Sequence, residues 1–261
     1  MEASDPQFEH EHLSHVTLFS RALGRRGDIT FFLPPQALKS KSVPLLVLLH
    51  GVYGSHWSWA MQGGVHRTCL QLISQGCIRP MILAMPSDGL WGKGSGYLTH
   101  SGEDHECWIM QDVVAAAYEF TRVVDIDSPI FLAGLSMGGY GALRLGAKYS
   151  DRIAGVSVHS AITRVEQLRT FTEESVWEEI GKSDDETDPM FWIRKHAAVL
   201  PPLRLDCGIL DNLLEPNREL HRQLMIDGIF HTYEEFAGGH DWDYWRVHVR
   251  ETLLFVESVL R

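Results

Sequence analysis

The chain is poor in the features that mark several protein classes. Its four cysteines, Cys69, Cys77, Cys107 and Cys207, are scattered, with no C-x-x-C pair. That argues against a redox dithiol and is read as reduced thiols in a cytoplasmic protein. Long apolar runs are missing. Leu45 to Leu49 is representative, far below the ~20 residues that cross a bilayer as a helix. The opening segment, Met1 to Pro6, has no basic n-region and no apolar h-region, so no secretory signal is expected. Positive charge is scarce: 23 Lys and Arg face 34 Asp and Glu, for a net charge of -11. With no basic stripe to offset this, nucleic acid and anionic membrane surfaces are not expected partners. No internal repeat is visible. Nothing in the composition fixes the oligomeric state, and a homo-oligomer is left open.

What remains is an ordinary globular composition over 261 residues, enough for one large α/β domain or two small ones. His15 to Leu23 and Asp28 to Leu33 read as two strands joined by Gly24-Arg25-Arg26-Gly27, a hairpin candidate. Val43 to Leu49 suits a buried central strand. Further strands are expected at 81–85, 130–133, 153–158, 203–207 and 231–236. Helices are expected at 65–75, 106–121, 140–149, 215–227 and 242–260. Strands alternating with helices imply a mostly parallel central sheet with helices on both faces. Residues 163–200 break the alternation. They hold Trp177, Phe191, Trp192 and an acidic stretch, and are read as a small helical cap inserted into one domain spanning 1–261.

One stretch carries chemistry. Gly134-Leu135-Ser136-Met137-Gly138 follows an apolar strand and precedes a helix. Strand, tight turn, helix with serine at the apex is the context that a G-x-S-x-G nucleophile elbow requires. The flanking glycines make room for a strained serine, and the Met137 amide lies at a helix N-terminus, where an oxyanion would be stabilised. Serine needs a base at neutral pH, and in this arrangement the chain order is serine, acid, histidine. Asp206 and Asp211 are the candidates for the acid. Asp206 falls within a strand, where an acid is solvated or paired, and Asp211 falls just past it, so Asp211 is favoured. Capping of the following helix is the alternative role for Asp211. His240, after Gly238-Gly239 and the last strand, is the base. His221, His231 and His248 lie in predicted helices or strands. His10, His12 and His15 are read as a mobile polar N-terminus rather than a metal site. The loop His50-Gly51-Val52-Tyr53-Gly54 supplies a second oxyanion donor, the Val52 amide first and that of Tyr53 second.

Leu48-Leu49-His50-Gly51, Gly134 to Ala142, Leu213 to His221 and Gly238 to Trp242 together resemble the esterase D / putative esterase family of α/β-hydrolases. The resemblance runs from about Phe31 to the C-terminus and implies the α/β-hydrolase fold, nucleophile Ser136, acid Asp211 and base His240. The family's formylglutathione hydrolases carry a serine-glycine-leucine strand end, where this chain has His50-Gly51-Val52. It is therefore placed nearer the tributyrin-type and carbohydrate-type carboxylesterases. The expected function is hydrolysis of short-chain acyl esters of small molecules through an acyl-enzyme, with no metal or organic cofactor. Tyr53, Trp57, Tyr97 and Trp177 are expected to line the substrate pocket. Trp59, Trp91 and the segment 98–106 are further candidates, each equally suited to core packing. The competing readings are an acyltransferase on the same triad, a non-catalytic binding protein, and lyase or perhydrolase chemistry.

Overall fold

A computed structural model describes residues 1–88, 94–172 and 184–261. The strands are β1 (Glu2–Ala3), β2 (Leu13–Ser20), β3 (Arg25–Phe32), β4 (Leu45–Leu49), β5 (Ile82–Pro86), β6 (Thr99–His100), β7 (Glu103–Asp104), β8 (Ile130–Leu135), β9 (Ile153–His159), β10 (Leu203–Gly208) and β11 (His231–Phe236). The helices are α1 (Ser58–Met61), α2 (Val65–Ser74), α3 (His105–Cys107), α4 (Val114–Thr121), α5 (Met137–Lys148), α6 (Asp184–Thr187), α7 (Pro189–Lys195), α8 (Leu214–Ile226) and α9 (Trp242–Val259), with a π turn at Trp108–Val113 joining α3 to α4.

Among the described residues, nine strands form one sheet in the order β1-β2-β3-β5-β4-β8-β9-β10-β11, and β6 pairs with β7 apart from it. Neighbours from β5 to β11 run parallel, while β1, β2 and β3 are antiparallel additions at one side. The central strands are buried on both faces, which explains their nearly unbroken apolar sequence. In β4 the faces alternate: Leu45, Val47 and Leu49 pack with residues of α5 and α8, while Leu46 and Leu48 pack with residues of α2 and α9. Helices thus cover both faces, as the alternating sequence pattern predicts.

The hairpin differs from expectation. Ser20 pairs with Arg25, so the turn is Arg21 to Gly24, and Arg25, Arg26 and Gly27 belong to β3. Gly27 is needed inside the strand because a Cβ there would come within 2.7 Å of the Trp108 ring. The N-terminal segment is placed rather than loose. Glu2 and Ala3 pair with Thr17 and Val16, and His15 Nδ1 lies 2.9 Å from Thr30 Oγ1. The described parts of 163–200 are short helical pieces, including a 3₁₀ turn at Val165–Thr170. Residues 173–183, with Trp177, and residues 89–93, with Trp91, lie outside the described residues.

The join of β8 to α5 is tight. A Cβ on Gly134 would stand 2.2 Å from the Gly138 carbonyl oxygen, and one on Gly138 would stand 2.2 Å from that of Leu49. Both obstacles are backbone, so neither can swing aside. Gly138→Ala is expected to destabilise the protein by about 1–3 kcal/mol, the usual cost of overpacking, read as a fall in Tm. An unchanged Tm would show that the elbow has slack.

Candidate active site

Three loops at the C-terminal ends of β8, β10 and β11 converge. The first carries Ser136, which holds φ 52° and ψ -119°, outside the regions that L-residues favour. Its N–H donates to the His159 carbonyl at 3.0 Å, and its carbonyl accepts from the Ile162 N–H at 3.0 Å. The strained backbone is therefore pinned on both sides, by the last residue of β9 and by the segment that follows it. The second loop carries Asp211. Its Oδ1 accepts from the Leu213 N–H at 2.8 Å, and its backbone carbonyl accepts from the Leu214 N–H at 3.0 Å. The third carries His240, one residue before Asp241, whose side chain caps α9 by accepting from the Tyr244 N–H at 2.9 Å. Loops two and three are stitched together, since the Leu210 N–H donates to the Gly238 carbonyl at 2.9 Å.

His240 lies between the other two side chains. Its Nε2 is 3.0 Å from Ser136 Oγ, and its Nδ1 is 3.0 and 2.9 Å from the two Asp211 carboxyl oxygens. Burial acts to raise the Asp211 pKa, but the His240 hydrogen bond and its charge outweigh it and hold the carboxyl below its ordinary value. An ionised carboxylate only accepts, so Nδ1 carries the proton and the Nε2 lone pair faces the serine hydroxyl. Ser136 is thereby set to lose its proton to Nε2 as Oγ attacks an electrophile. Two aromatic rings hold the imidazole plane: Phe171 stacks on it with centroids 5.1 Å apart, and Trp245 meets it edge-on at 5.0 Å.

Ser136 and His240 open into a cavity of about 250 Å³ whose lining includes Val52, Tyr53, Gln62, Phe171, Trp242 and Trp245. A larger groove of about 920 Å³ lies between Val165, Met190 and α8 and does not include Ser136 or His240. Chemistry, not size, marks the smaller cavity as the candidate site. The loop after β4 is braced from beneath. His50 Nδ1–H donates to the Gly51 carbonyl at 2.7 Å, leaving Nε2 to accept from the Asp88 N–H at 3.0 Å. Tyr97 donates its hydroxyl to the His50 carbonyl at 3.0 Å.

Of the residues expected from sequence, Ser136, Asp211 and His240 come together, and Val52 and Tyr53 reach the cavity. Met137 begins α5 beside Ser136, with its side chain packed toward Gly94 and Gly96. Tyr97 is fully buried under the loop rather than in the cavity lining, because its hydroxyl is committed to His50. Trp57 is 40% exposed and outside the lining. Trp59 is core, its indole N–H bonded to the Leu49 carbonyl. Asp206 is buried within β10 and paired with His159 and Arg204, away from His240. The sequence reading missed Phe171, Trp242 and Trp245. A signal did exist, since Trp242 and Trp245 follow His240 by only two and five residues.

The chain as a whole is similar to known proteins. The profile of the family described as Putative esterase matches residues 20–256. An acetyl esterase from Caldicellulosiruptor saccharolyticus is 25% identical over 275 residues, covering 95% of this chain and 98% of the relative. Among solved structures, a ferulic acid esterase superposes with a TM-score of 0.83 at 28% identity, covering 95% of this chain and 98% of the other. FphF, a fluorophosphonate-binding serine hydrolase of Staphylococcus aureus, shares the fold with a TM-score of 0.79 at 21% identity, covering 93% and 97%. The shared architecture is the α/β-hydrolase fold.

Because the Asp211 pKa is depressed in the folded state, the unfolded chain binds more protons as the pH falls. The stability this carboxylate contributes is present above its unfolded pKa, about 4, and is lost below it. Between about pH 5 and 3, the Tm of the wild type should therefore fall more steeply than that of Asp211→Asn. Parallel curves would mean that the contact adds no stability.

Proposed function

The chain belongs to the Esterase family and is a serine carboxylic ester hydrolase, and from that premise we propose that it cleaves short-chain acyl esters with a Ser136-His240-Asp211 triad. The observation that carries this reading is the continuous contact from Asp211 through His240 to the Ser136 hydroxyl. In this reading residues 1–261 form one domain, with 163–200 as its cap insertion.

His240 Nε2 takes the Ser136 proton as Oγ attacks the ester carbonyl carbon. The amides of Met137 and Val52 are the donors for the oxygen that becomes negative. Each such donor is worth on the order of 3 kcal/mol in the transition state. As the tetrahedral species collapses, the alcohol leaves with the proton from His240, and the acyl group stays on Ser136. Water then attacks the acyl-enzyme by the same route, and Ser136 recovers its proton. Asp211 orients the imidazole and stabilises its charged form without becoming protonated.

The small volume of the cavity supports acetyl to butyryl groups as substrates. Its aromatic lining, Tyr53, Phe171, Trp242 and Trp245, favours a second reading, an aromatic acyl group, as the name of the ferulic acid esterase suggests for that neighbour. With p-nitrophenyl esters from acetate to palmitate, turnover is expected to decline beyond butyrate. Ser136→Ala is expected to lose about 10³-fold or more in kcat. Faster turnover of a ferulate ester than of acetate would select the aromatic reading. Full activity in Ser136→Ala would overturn the assignment of the nucleophile.

A further inference from the structure

A second buried acid–histidine pair lies under the first. Leu135, His159 and Asp206 stand in register across the C-terminal ends of β8, β9 and β10. His159 and Asp206 are both fully buried, with His159 Nδ1 2.7 Å from Asp206 Oδ2. The same carboxylate receives the Arg204 guanidinium at 2.6 Å and the Tyr244 hydroxyl at 2.7 Å. On its other side, His159 Nε2 meets Thr252 Oγ1 at 2.7 Å, and Ser157 Oγ meets the same hydroxyl at 2.7 Å. Burying this many polar groups between a sheet and a helix costs more than apolar packing would. The arrangement therefore calls for a reason other than stability.

The backbone supplies one. His159 is the residue whose carbonyl holds the Ser136 N–H, and the Asp206 carbonyl holds the Ser160 N–H at 2.8 Å. Asp206 lies on the strand that delivers Asp211. Tyr244 and Thr252 lie on α9, which begins directly after His240, and Tyr244 packs against Gly238 in the base loop, where a Cβ would be 2.7 Å from its ring. One carboxylate, on the strand that leads to Asp211, thus contacts the helix that follows His240 and the residue whose carbonyl holds the Ser136 N–H. We propose that the Asp206–His159 pair, with Tyr244 and Thr252, is a positioning centre that fixes the nucleophile, acid and base segments relative to one another.

This inference rests on the triad reading above. The titratable and charged groups facing the carboxylate are His159 from β9, Arg204 from β10, and Tyr244 and the more distant His248 from α9, with Glu234 of β11 pairing Arg204 at 2.8 Å. Burial acts to raise the Asp206 pKa, but the charges of His159 and Arg204 and the hydrogen bonds hold it down at about 2. The Asp206 carboxylate accordingly stays ionised across the range in which an esterase is assayed.

The test uses the full-length protein and p-nitrophenyl acetate, with an organophosphonate to count reactive Ser136. Misplacement of reacting groups by a fraction of an ångström to 1 Å costs on the order of 10–100-fold. Asp206→Asn and Thr252→Val should lose kcat on that scale with KM nearly unchanged, and phosphonylation of Ser136 should slow by a similar factor. Thr252→Ser, which keeps the hydroxyl, should recover most of the loss. Variants with a lower Tm but wild-type kcat would reduce the pair to a structural role and overturn the proposal. If Asp206→Asn does not fold, Thr252→Val against Thr252→Ser, with Tyr244→Phe, still decides the matter by the same kcat and KM split. A wild type that is active but not labelled at Ser136 would instead sink the triad reading itself.

Discussion

Ser136 can stand at the end of β8 because nothing larger than a hydrogen occupies Gly134 and Gly138. The turn brings the backbone of α5 against that of β8 and of the neighbouring β4. This close approach places the serine hydroxyl at the sheet's rim, and it places the first amide of α5 beside it. It also imposes a positive φ on a serine, a strain of about 1–3 kcal/mol that the surroundings must hold. They do so with two backbone hydrogen bonds, to the last residue of β9 and from Ile162 just after it, and with a helix whose residues Ala142, Leu143 and Leu145 are fully buried. Arg144 on that helix is also fully buried and is paired with Glu106 at 2.8 Å. Its neighbour Lys148 reaches Glu106 at 2.8 Å as well as Glu186. The Tyr140 hydroxyl donates to the Thr187 carbonyl at 2.5 Å. The helix that presents the serine is therefore tied to the described part of the 163–200 segment as well as to the sheet.

The sequence was most legible where chemistry and backbone constraint coincide. The elbow declares itself because both its glycines and its strand and helix flanks are local. Asp211 and His240 were readable from chain order and from their places just past strands. Asp206 was readable as a strand acid, either solvated or paired, though nothing local named His159 as its partner. Other errors arose from contacts distant in sequence. Gly27 looks like a turn residue until Trp108, some 80 positions later, is seen to need the space. Tyr97 looks like a pocket wall until its hydroxyl is found on His50. Phe171 reaches the imidazole from a segment whose pattern shows only that it is helical. Tertiary packing, not propensity, decides these positions.

The two acid–histidine pairs show how environment separates roles. Both carboxylates are held ionised against burial. Asp211 faces an imidazole whose far nitrogen meets a hydroxyl at the mouth of a cavity, so its charge is available to a reaction. Asp206 faces an imidazole whose far nitrogen is occupied by Thr252 in the core, so its charge is spent on holding segments together. The same residue types thus act differently according to what lies beyond the ring. Spacing alone could have ranked the two acids but could not have assigned these environments.

The sheet ends at β11, which has no strand on its outer side among the described residues. Such an edge offers free backbone donors and acceptors to any other extended chain. Here the strand reads His231-Thr232-Tyr233-Glu234-Glu235-Phe236, with adjacent glutamates that project to opposite faces. Each is drawn toward the protein, Glu234 by Arg204 and Glu235 by Arg218. A second copy arriving edge to edge would bring its own pair of carboxylates alongside these. The strand that leads into the His240 loop therefore also carries charge that opposes growth of the sheet into aggregates.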